Sequence, residues 1–409
     1  MKMNKKSEKS INDKALKTIS NANKKAVMAV IFTIIFSVSF IIIIFYYFFI
    51  SKLYIAEKND EPLYFSILFI DDDKEIYGAY VGIVSSLNNR IGLIGLPRNI
   101  ALWENKNYNP SKLSELYKDR GENAVFKAIS TSVNKKISYK ISIDNNQISD
   151  IIDLIGGIKM YIEEPIEYKD EEKGYELSFD IGEWLFTGEK TVSYLHYLTM
   201  KGYEDIETLY RLEDIIINSM IGLIQNSQLK NIINAKSMRN AVFSKVRSNL
   251  RPPDIEAFTK ILANSNERTL IIENIDARIG DNGVLVPIFE GNAFIKQMDD
   301  LTLYVELKTQ KSELNNEDVS LIVLNATTTA GLADRINIRM RYRGFSAGEY
   351  GNFGANLNES VVLVRDGNIE KAFMVANEGR INRIYAKTDR RVLNNVVLIL
   401  GNDYYEITR

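Results

Sequence analysis

The chain contains no cysteine, so disulfide bonds, thiolate nucleophiles and thiolate metal ligands are excluded. Its only histidine is His196, which also excludes a His-rich metal site. The formal net charge is −2 over 409 residues. This lacks the basic excess of proteins that bind nucleic acids, so no nucleic-acid partner is expected. Any chemistry must therefore depend on carboxylates, arginines, lysines and hydroxyls.

Charged residues are absent from positions 26–50, a run of 25 residues rich in Ile, Phe and Val. At about 1.5 Å per residue, a helix of this length spans the roughly 30 Å hydrocarbon layer of a bilayer. The preceding residues 1–25 carry eight lysines against Glu8 and Asp13. Because positive residues stay on the cytoplasmic side, we expect a single-pass protein of the cytoplasmic membrane, with its C-terminal bulk outside the cytoplasm. A cleaved signal peptide is the alternative, but its apolar region would be about half as long.

A hydrophilic stalk at 51–62 precedes three short apolar runs. The runs cover residues 63–70, 78–87 and 90–96 and are bounded by charged or proline-containing turns, as is typical of buried strands. The periodicity predicts helices at 123–134, 146–154 and 206–224, and Gly156-Gly157 leads from the second into a strand at 158–162. Alternating strands and helices predict an α/β domain with a central mixed sheet and flanking helices.

The boundary of this α/β domain is not fixed by the pattern. We assign it to residues 63–225, with an extension to about 305 as the alternative, so that 226–317 is either a connector or the remainder of the domain. From residue 318 the pattern restarts with strands at 321–324, 360–364 and 396–400, separated by helices at 331–342 and 370–376. Residues 318–405 are therefore predicted to form a second, smaller α/β module.

Several motifs of the C-terminal segment together resemble the LytR C-terminal domain. They are a strand ending in Asn325, Ala330-Gly331-Leu332-Ala333 at a helix start, Arg343-Gly344-Phe345, and Leu400-Gly401 followed by Asp403-Tyr404.

Upstream, residues 63–225 resemble the catalytic domain of LytR-CpsA-Psr proteins. The matching pieces are Leu96-Pro97-Arg98, Lys112-Leu113 with Tyr117, Asp153-Leu154-Ile155-Gly156-Gly157-Ile158, and Gly182, Phe186, Gly188 and Tyr194. The resemblance implies transfer of glycan phosphates from a polyprenyl pyrophosphate carrier to peptidoglycan, with the carrier lipid in a hydrophobic tunnel. It also implies Mg²⁺ held by carboxylates, and arginines that bind phosphate oxygens in pairs.

Some charged positions of the family motif are uncharged in this chain. Residues of other types stand where the family has aspartate, arginine or glutamine: Ala79, Asn99, His196, Leu198, Thr208 and Leu212. Each missing charged contact to a transferring phosphate costs orders of magnitude in rate. The resemblance therefore implies a fold that is kept and a catalytic site that is partly lost.

Four charged residues remain as candidate site residues. Arg98, Lys112 and Arg211 are candidates for binding phosphate, and Asp72 is a candidate ligand for Mg²⁺. Each has an ordinary alternative. The acidic run around Asp72 is also typical of a solvated turn, Arg98 could pair with a nearby acid, and Lys112 could be a surface lysine. A salt bridge to Asp205 or Glu207 is the alternative for Arg211.

The leading interpretation is a membrane-anchored cell-envelope protein that binds a polyprenyl-linked glycan or peptidoglycan with weak or no catalysis. The alternative is an active metal-dependent phosphotransferase that attaches a glycopolymer to the cell wall. The two differ in whether Asp72, Arg98 and Arg211 surround one cavity above an apolar tunnel, whose mouth is expected near Arg98. A cytoplasmic transcription regulator is disfavoured because only about 25 residues precede the apolar run, too few for a helix-turn-helix domain.

Overall fold

The computed structural model describes residues 50–73, 75–105, 109–200, 205–243, 245–279, 285–287, 292–307 and 314–404, with isolated positions between 28 and 47. The predicted cytoplasmic tail and most of the predicted transmembrane helix lie outside these residues. Among the residues that are described, no helix is both long enough and apolar enough to cross a membrane.

The described residues form two compact units. One comprises the residues up to Ser51 together with Arg251–Pro253, and in it the Arg251 guanidinium donates a hydrogen bond to the Ile50 carbonyl at 3.0 Å. The other comprises the described residues of 52–250 and 254–404. It holds the six-stranded sheet, the five-stranded sheet and the cavities of the molecule that are relevant to function.

Helices and strands alternate through most of the described residues from 52 to 404. The helices are α1 (Lys52–Lys58), α2 (Leu113–Arg120), α3 (Glu122–Val133), α4 (Asn145–Leu154), α5 (Gly188–Met200), α6 (Asp205–Gln225), α7 (Ser227–Asn234), α8 (Lys236–Phe243), α9 (Pro252–Ala263), α10 (Ala293–Val305), α11 (Leu332–Tyr342) and α12 (Ile369–Gly379). The strands are β1 (Leu63–Ile70), β2 (Ile76–Ser85), β3 (Arg90–Pro97), β4 (Ala101–Leu102), β5 (Ser111–Lys112), β6 (Ile137–Asp144), β7 (Ile158–Ile162), β8 (Ile166–Asp170), β9 (Tyr175–Phe179), β10 (Gly182–Phe186), β11 (Arg247–Ser248), β12 (Leu270–Asn274), β13 (Ala277–Ile279), β14 (Leu285–Pro287), β15 (Ser320–Asn325), β16 (Ser346–Asn352), β17 (Val361–Val364), β18 (Ile384–Ala386) and β19 (Val396–Leu400).

The central sheet has the strand order β11-β6-β1-β2-β3-β12. Strands β1, β2 and β3 are antiparallel neighbours, whereas β6 runs parallel to β1 and β12 runs parallel to β3. Every residue of β2 is buried, as expected for a central strand that is covered on both faces. The outer strand β12 comes from the segment 226–317, so this segment contributes to the central sheet.

Helices cover both faces of this sheet. On one face, α3 and α10 pack Val125, Ile129, Met298 and Leu301 against inward-facing residues of the strands. On the other face, Leu209 of α6 lies 3.0 Å from the position that a β-carbon would take on Gly78. A side chain at Gly78 would force Leu209 to shift, so the glycine lets this helix approach the sheet closely.

The C-terminal module contains a five-stranded sheet with the order β16-β15-β19-β17-β18. All pairs are parallel except β17 with β19. Residues 318–404 thus form the small α/β module predicted from the sequence, and residues 63–305 form the α/β domain with a mixed sheet. The periodicity missed β16 and β18, because β16 is a mostly exposed edge strand and β18 has only three residues.

Candidate functional site

The carboxyl ends of four strands meet at one edge of the central sheet. Since β1, β3, β6 and β12 run in the same direction, Asp71, Arg98, Asp144 and Asn274 all stand at this edge. In α/β sheets this edge is where ligands usually bind. Two of the predicted site residues, Asp72 and Arg98, therefore lie at the edge of the sheet where a ligand site is expected.

The acidic run after β1 makes contacts within the protein. The Asp71 carboxylate accepts a hydrogen bond from the backbone N–H of Glu75 at 2.8 Å, and burial raises the pKa of Asp71. Asp72 accepts one from the Tyr175 hydroxyl at 3.2 Å, and Asp73 pairs with Lys173 at 2.5 Å. The run therefore holds the β8–β9 hairpin against the edge of the sheet.

Among the described residues, the acidic run does not form a preassembled carboxylate metal centre. Within the part of the chain that the structure describes, no three Asp, Glu or His side chains come close enough to hold a metal ion. The second expected carboxylate position, Ala79, is fully buried in β2, where its register partners are Leu68 and Leu96. Asp72 as a ligand of Mg²⁺ stays a prediction from the resemblance.

Arg98 and Lys112 are both paired with acids. The Arg98 Nε donates to Asp205, the first residue of α6, which is a favourable place for a negative charge at a helix N-terminus. Lys112 lies 3.3 Å from Glu115 on the surface. Arg98 thus makes the pair with a nearby acid that was its alternative, and Lys112 lies on the surface as its alternative had it; phosphate binding by both stays a prediction.

Arg211 is mostly buried and faces the C-terminal module. Its Nη1 lies 2.7 Å from the Asp214 carboxylate, and its Nη2 donates to the Thr388 carbonyl. The Asp214 carboxylate also accepts the Thr388 backbone N–H at 2.6 Å. The salt bridge expected for Arg211 with Asp205 or Glu207 is therefore wrong in its partner: the acid is Asp214, one turn later on α6.

A polar cavity of about 310 Å³, which we call the interdomain cavity, lies beside Arg211. One wall comes from residues 162–166, from α5 and from α6, and the other from residues of the C-terminal module. Its charged lining residues are Glu163, Glu164, Glu207, Arg211, Arg365, Lys387, Asp389 and Arg391. Of the four candidate residues, Arg211 alone lines this cavity, so the structure does not bring Asp72, Arg98, Lys112 and Arg211 together in it.

Several of these charges form ion pairs between the α/β domain and the C-terminal module. Arg365 binds Glu163 with both amino groups, and Arg391 contacts Glu207 at 2.7 Å. Behind them, Arg390 binds the fully buried Glu213 with both amino groups, one of them at 2.8 Å. These three pairs join the two domains. Together with the neighbouring Arg211–Asp214 pair within α6, we call them the interdomain ion-pair cluster.

The sequence analysis did not predict this cluster, although the sequence of α6 contains a sign of it. Glu213 and Asp214 lie among the apolar residues of α6, beside Leu212 and Ile215, where a purely structural helix face would have no charge. A buried acid requires a partner. The partner could not be identified from the sequence, because Arg390 is 177 positions away.

The Glu213 carboxyl should make stability depend on pH. Burial is the largest cause that raises its pKa from 4.5 to about 7, Arg390 and Arg211 oppose the rise, and Asp214 adds to it. Between these two pKa values the folded state binds more protons than the unfolded state, so the free energy of unfolding should fall as pH rises from 4.5 to 7. Chemical denaturation over this window should show a flatter profile for Glu213→Gln than for the wild type. A Glu213→Gln profile as steep as that of the wild type would contradict the assignment.

His196 holds the β8–β9 hairpin. Its Nε2 lies 3.0 Å from the Asp170 carboxylate at the end of β8, and its ring is 4.9 Å from the ring of Tyr175 in β9. The pKa of Asp170 is lowered, mainly by the backbone N–H of Lys173 and then by the hydrogen bond with His196. The histidine at an expected arginine position thus has a structural role here.

The conformation and packing of the backbone explain why glycine stands at positions 156, 157 and 188. Gly156 and Gly157 both have positive φ, 83° and 89°, in the predicted turn that leads from α4 to β7. Asp153 accepts the backbone N–H of Gly188 at 2.7 Å, which fixes the start of α5 beside α4. A β-carbon on Gly188 would lie 2.2 Å from the Ser149 carbonyl oxygen, so only glycine fits there. These residues therefore fix the geometry of the turn after α4 and the start of α5.

An apolar cavity of about 330 Å³ lies between the central sheet and the helices that cover it. Its lining includes Phe69 of β1, Ile152 of α4, Ile216 and Met220 of α6, and residues of α8 and α9. Arg239 is the one charged residue that lines it. Arg98, expected at the mouth of a tunnel, is not among the lining residues.

Comparison with known proteins places these features in a family. The model of the LytR_cpsA_psr family matches residues 79–302, more than half of the chain, and the model described as LytR cell envelope-related transcriptional attenuator matches residues 318–404. No significant match is found among the curated proteins.

Solved structures similar to this chain include TagV of B. subtilis, with 16% identity, a TM-score of 0.48, and coverage of 60% of this chain and 98% of TagV. Protein gbs0355 of Streptococcus agalactiae has 16% identity and a TM-score of 0.49, covering 64% of this chain and 94% of its own. TagT of B. subtilis has 12% identity and a TM-score of 0.43, covering 59% and 91%. On the extent of the family match, the chain belongs to the LytR_cpsA_psr family and carries a LytR_C module at its C-terminal end.

Proposed function

We propose that this protein binds a polyprenyl-linked glycan outside the cytoplasm, anchored by residues 26–50, and that it transfers the glycan phosphate slowly or not at all. The observation that carries the proposal is a contrast between two parts of the α/β domain. An apolar cavity is kept between the sheet and its helices, whereas Arg98, Lys112 and Arg211 are each paired with an acid of the protein itself.

The apolar cavity supports the lipid part of this proposal. Its volume of about 330 Å³ falls within the roughly 300–1,000 Å³ typical of ligand pockets. Isoleucine, leucine, methionine and phenylalanine dominate its lining, so transfer of an isoprenoid segment from water into it is favourable by the hydrophobic effect. Arg239 offers the one positive charge in this mostly apolar lining.

The paired charges support the limit on catalysis. An arginine that is paired with a carboxylate already has its charge matched, so it attracts a phosphate less strongly than an unpaired arginine does, and breaking a partly buried pair costs free energy. Arg98 and Arg211 both start from such pairs, and Arg211 is in addition bound to the C-terminal module. Binding through the lipid does not require these arginines to be free.

Filling the apolar cavity tests lipid binding. Ile216→Trp places a large ring in the cavity lining, and we expect it to remove co-purifying polyprenyl phosphate from the detergent-solubilised full-length protein, as detected by native mass spectrometry. Leu87→Trp adds the same ring at a turn residue that is 77% exposed, and should leave the bound lipid unchanged. A wild-type protein that carries no lipid, or two variants that carry equal amounts, would count against the proposal.

A further inference from the structure

A cleft of about 530 Å³, which we call the β18 cleft, lies along one edge of the five-stranded sheet. Its lining comes from residues 155–159, β10, α6 and α7 on one side and from residues 382–385 of the C-terminal module on the other. The volume falls within the roughly 300–1,000 Å³ typical of ligand pockets. None of the four predicted site residues lines it, so the cleft is separate from the site that the sequence predicts.

Strand β18 stands at the end of that sheet, beside β17. Two hydrogen bonds show which of its backbone groups face β17: the Arg383 carbonyl accepts the Val362 N–H at 2.9 Å, and the Lys387 N–H donates to the Val364 carbonyl at 3.0 Å. Backbone groups of successive residues in a strand point to opposite sides. The N–H and carbonyl groups of every second residue from 382 to 388 therefore face the free edge, where they need other partners.

Side chains of α6 take the place of a further strand along this edge. Asn218 binds both backbone groups of Ala386: its Oδ1 accepts the N–H at 2.8 Å, and its Nδ2 donates to the carbonyl at 3.3 Å. The Gln225 amide donates to the Asn382 carbonyl at 2.9 Å. Thr388 is bound by α6 through the contacts described above. The helix thus satisfies the edge at three of the four residues that face it.

Ile384, the remaining residue of this series, has no such partner. Among the described residues, neither its N–H nor its carbonyl makes a hydrogen bond on the free edge, although the residue is only 3% exposed. The α6 position opposite is Gly222, four residues after Asn218 and three before Gln225 on the same helix face. A β-carbon on Gly222 would meet nothing within 4 Å. Both Gly222 and Ile384 line the β18 cleft, so an unused donor and an unused acceptor lie at its wall.

The rest of the lining favours an uncharged ligand. Lys159 is paired with Glu183 at 2.7 Å, and Arg383 is paired with acids of its own module, so these charges are already matched. Apolar side chains, among them Ile221 and Leu229, contribute to the remainder. A ligand that offers one N–H and one C=O beside an apolar side chain matches this surface. A residue of an extended peptide carries these groups.

We propose that the β18 cleft binds a short, uncharged segment of a partner protein in an extended conformation, one residue of which pairs with both backbone groups of Ile384. This is β-strand addition limited to one residue pair, because Asn218 and Gln225 occupy the edge on either side. The inference goes beyond lipid binding and does not depend on it, since neither Gly222 nor Ile384 lines the apolar cavity.

A capped tripeptide, acetyl-Thr-Leu-Thr-amide, is the probe for this site. Titrated into the detergent-solubilised full-length protein and followed by saturation-transfer NMR, it should bind the wild type. Its all-D enantiomer has the same composition and the same affinity for detergent, so it is the control for non-specific adhesion. Because the backbone groups of the enantiomer cannot face Ile384 with the same side-chain placement, it should bind about tenfold more weakly or not at all.

Gly222→Asn tests the assignment to the gap in α6. The new amide would stand opposite Ile384 in the way that Asn218 stands opposite Ala386, and should weaken binding of the all-L probe by about tenfold or more, since two hydrogen bonds are no longer available. Gly348→Asn is the matched control. It makes the same substitution at an exposed position of β16 where a β-carbon also meets nothing within 4 Å, and should change the dissociation constant by less than about twofold.

Hydrogen exchange of the wild type provides a measurement without a variant. Resolved to single residues by fragmentation mass spectrometry, the Ile384 N–H should exchange faster than the Ala386 N–H, which is bound by Asn218, and the all-L probe should slow Ile384. Equal protection of Ile384 and Ala386 without the probe would overturn the proposal. So would no binding by the wild type, equal binding of the two enantiomers, or equal affinities of Gly222→Asn and the wild type.

Discussion

Replacing Arg390 by alanine is expected to lower the free energy of unfolding by about 3–5 kcal/mol at pH 7, because it leaves a buried carboxylate without its partner. Arg390 donates two hydrogen bonds to Glu213, which is 0% exposed, and others to the carbonyls of Ile272 and Asp366. The loss should be smaller near pH 5, where the Glu213 carboxyl can take up a proton and become neutral.

The neighbouring residue provides the control. Arg391 also forms ion pairs, but its side chain is 56% exposed, so Arg391→Ala should cost less than about 1 kcal/mol. Chemical denaturation of the full-length protein measures both. The double variant Glu213→Leu with Arg390→Met replaces both charges by apolar groups and should regain most of the loss. Equal losses in Arg390→Ala and Arg391→Ala would show that the buried pair does not hold the two domains together.

Turnover of a polyprenyl pyrophosphate-linked glycan by the full-length protein is expected to be at least about a hundredfold slower than that of a family member with the complete charged motif. A pyrophosphate brings several negative charges into the site, and the charged groups that would match them are missing or paired. Leu198, Thr208 and Leu212 are buried and uncharged where the resemblance expects two arginines and a glutamine.

Arg98→Ala separates the two functional interpretations. If Arg98 serves mainly as the partner of Asp205, its loss should change residual turnover by no more than a few-fold. Asp205→Asn, which removes the other member of the same pair, is the matched control and should behave alike. Metal-dependent turnover equal to that of a complete family member, and its collapse in Arg98→Ala but not in Asp205→Asn, would instead establish the active phosphotransferase.

The features that sequence predicted well are those set by local pattern. The apolar runs of β1 and β3 and the helical periodicity of α6 gave these elements to within a residue or two, because burial on one or both faces leaves a clear signal. β2 was placed two residues late, since its first residues, Ile76 and Tyr77, follow a charged turn whose end the pattern does not define.

The features that sequence could not predict depend on partners far along the chain. Arg98 and Arg211 were identified as charged residues at informative positions, but not their acids, Asp205 and Asp214. The β8–β9 hairpin was missed because its alternation is interrupted by charged residues, and its anchors are contacts from Asp73 and Asp170 to Lys173 and His196. Such pairs follow from the tertiary fold and leave no periodic trace.

Helix α6 has a consequence for how the protein can be dissected. Its residues Glu213, Asp214 and Asn218 all bind groups of the C-terminal module, at Arg390, Thr388 and Ala386. A truncated chain that stops before residue 318 would turn this inner helix face into an outer surface, with two carboxylates facing water and Arg211 relieved of one contact. The segment that defines family membership thus shares a buried helix face with the C-terminal module, and assays on it alone would report on a site with altered charge.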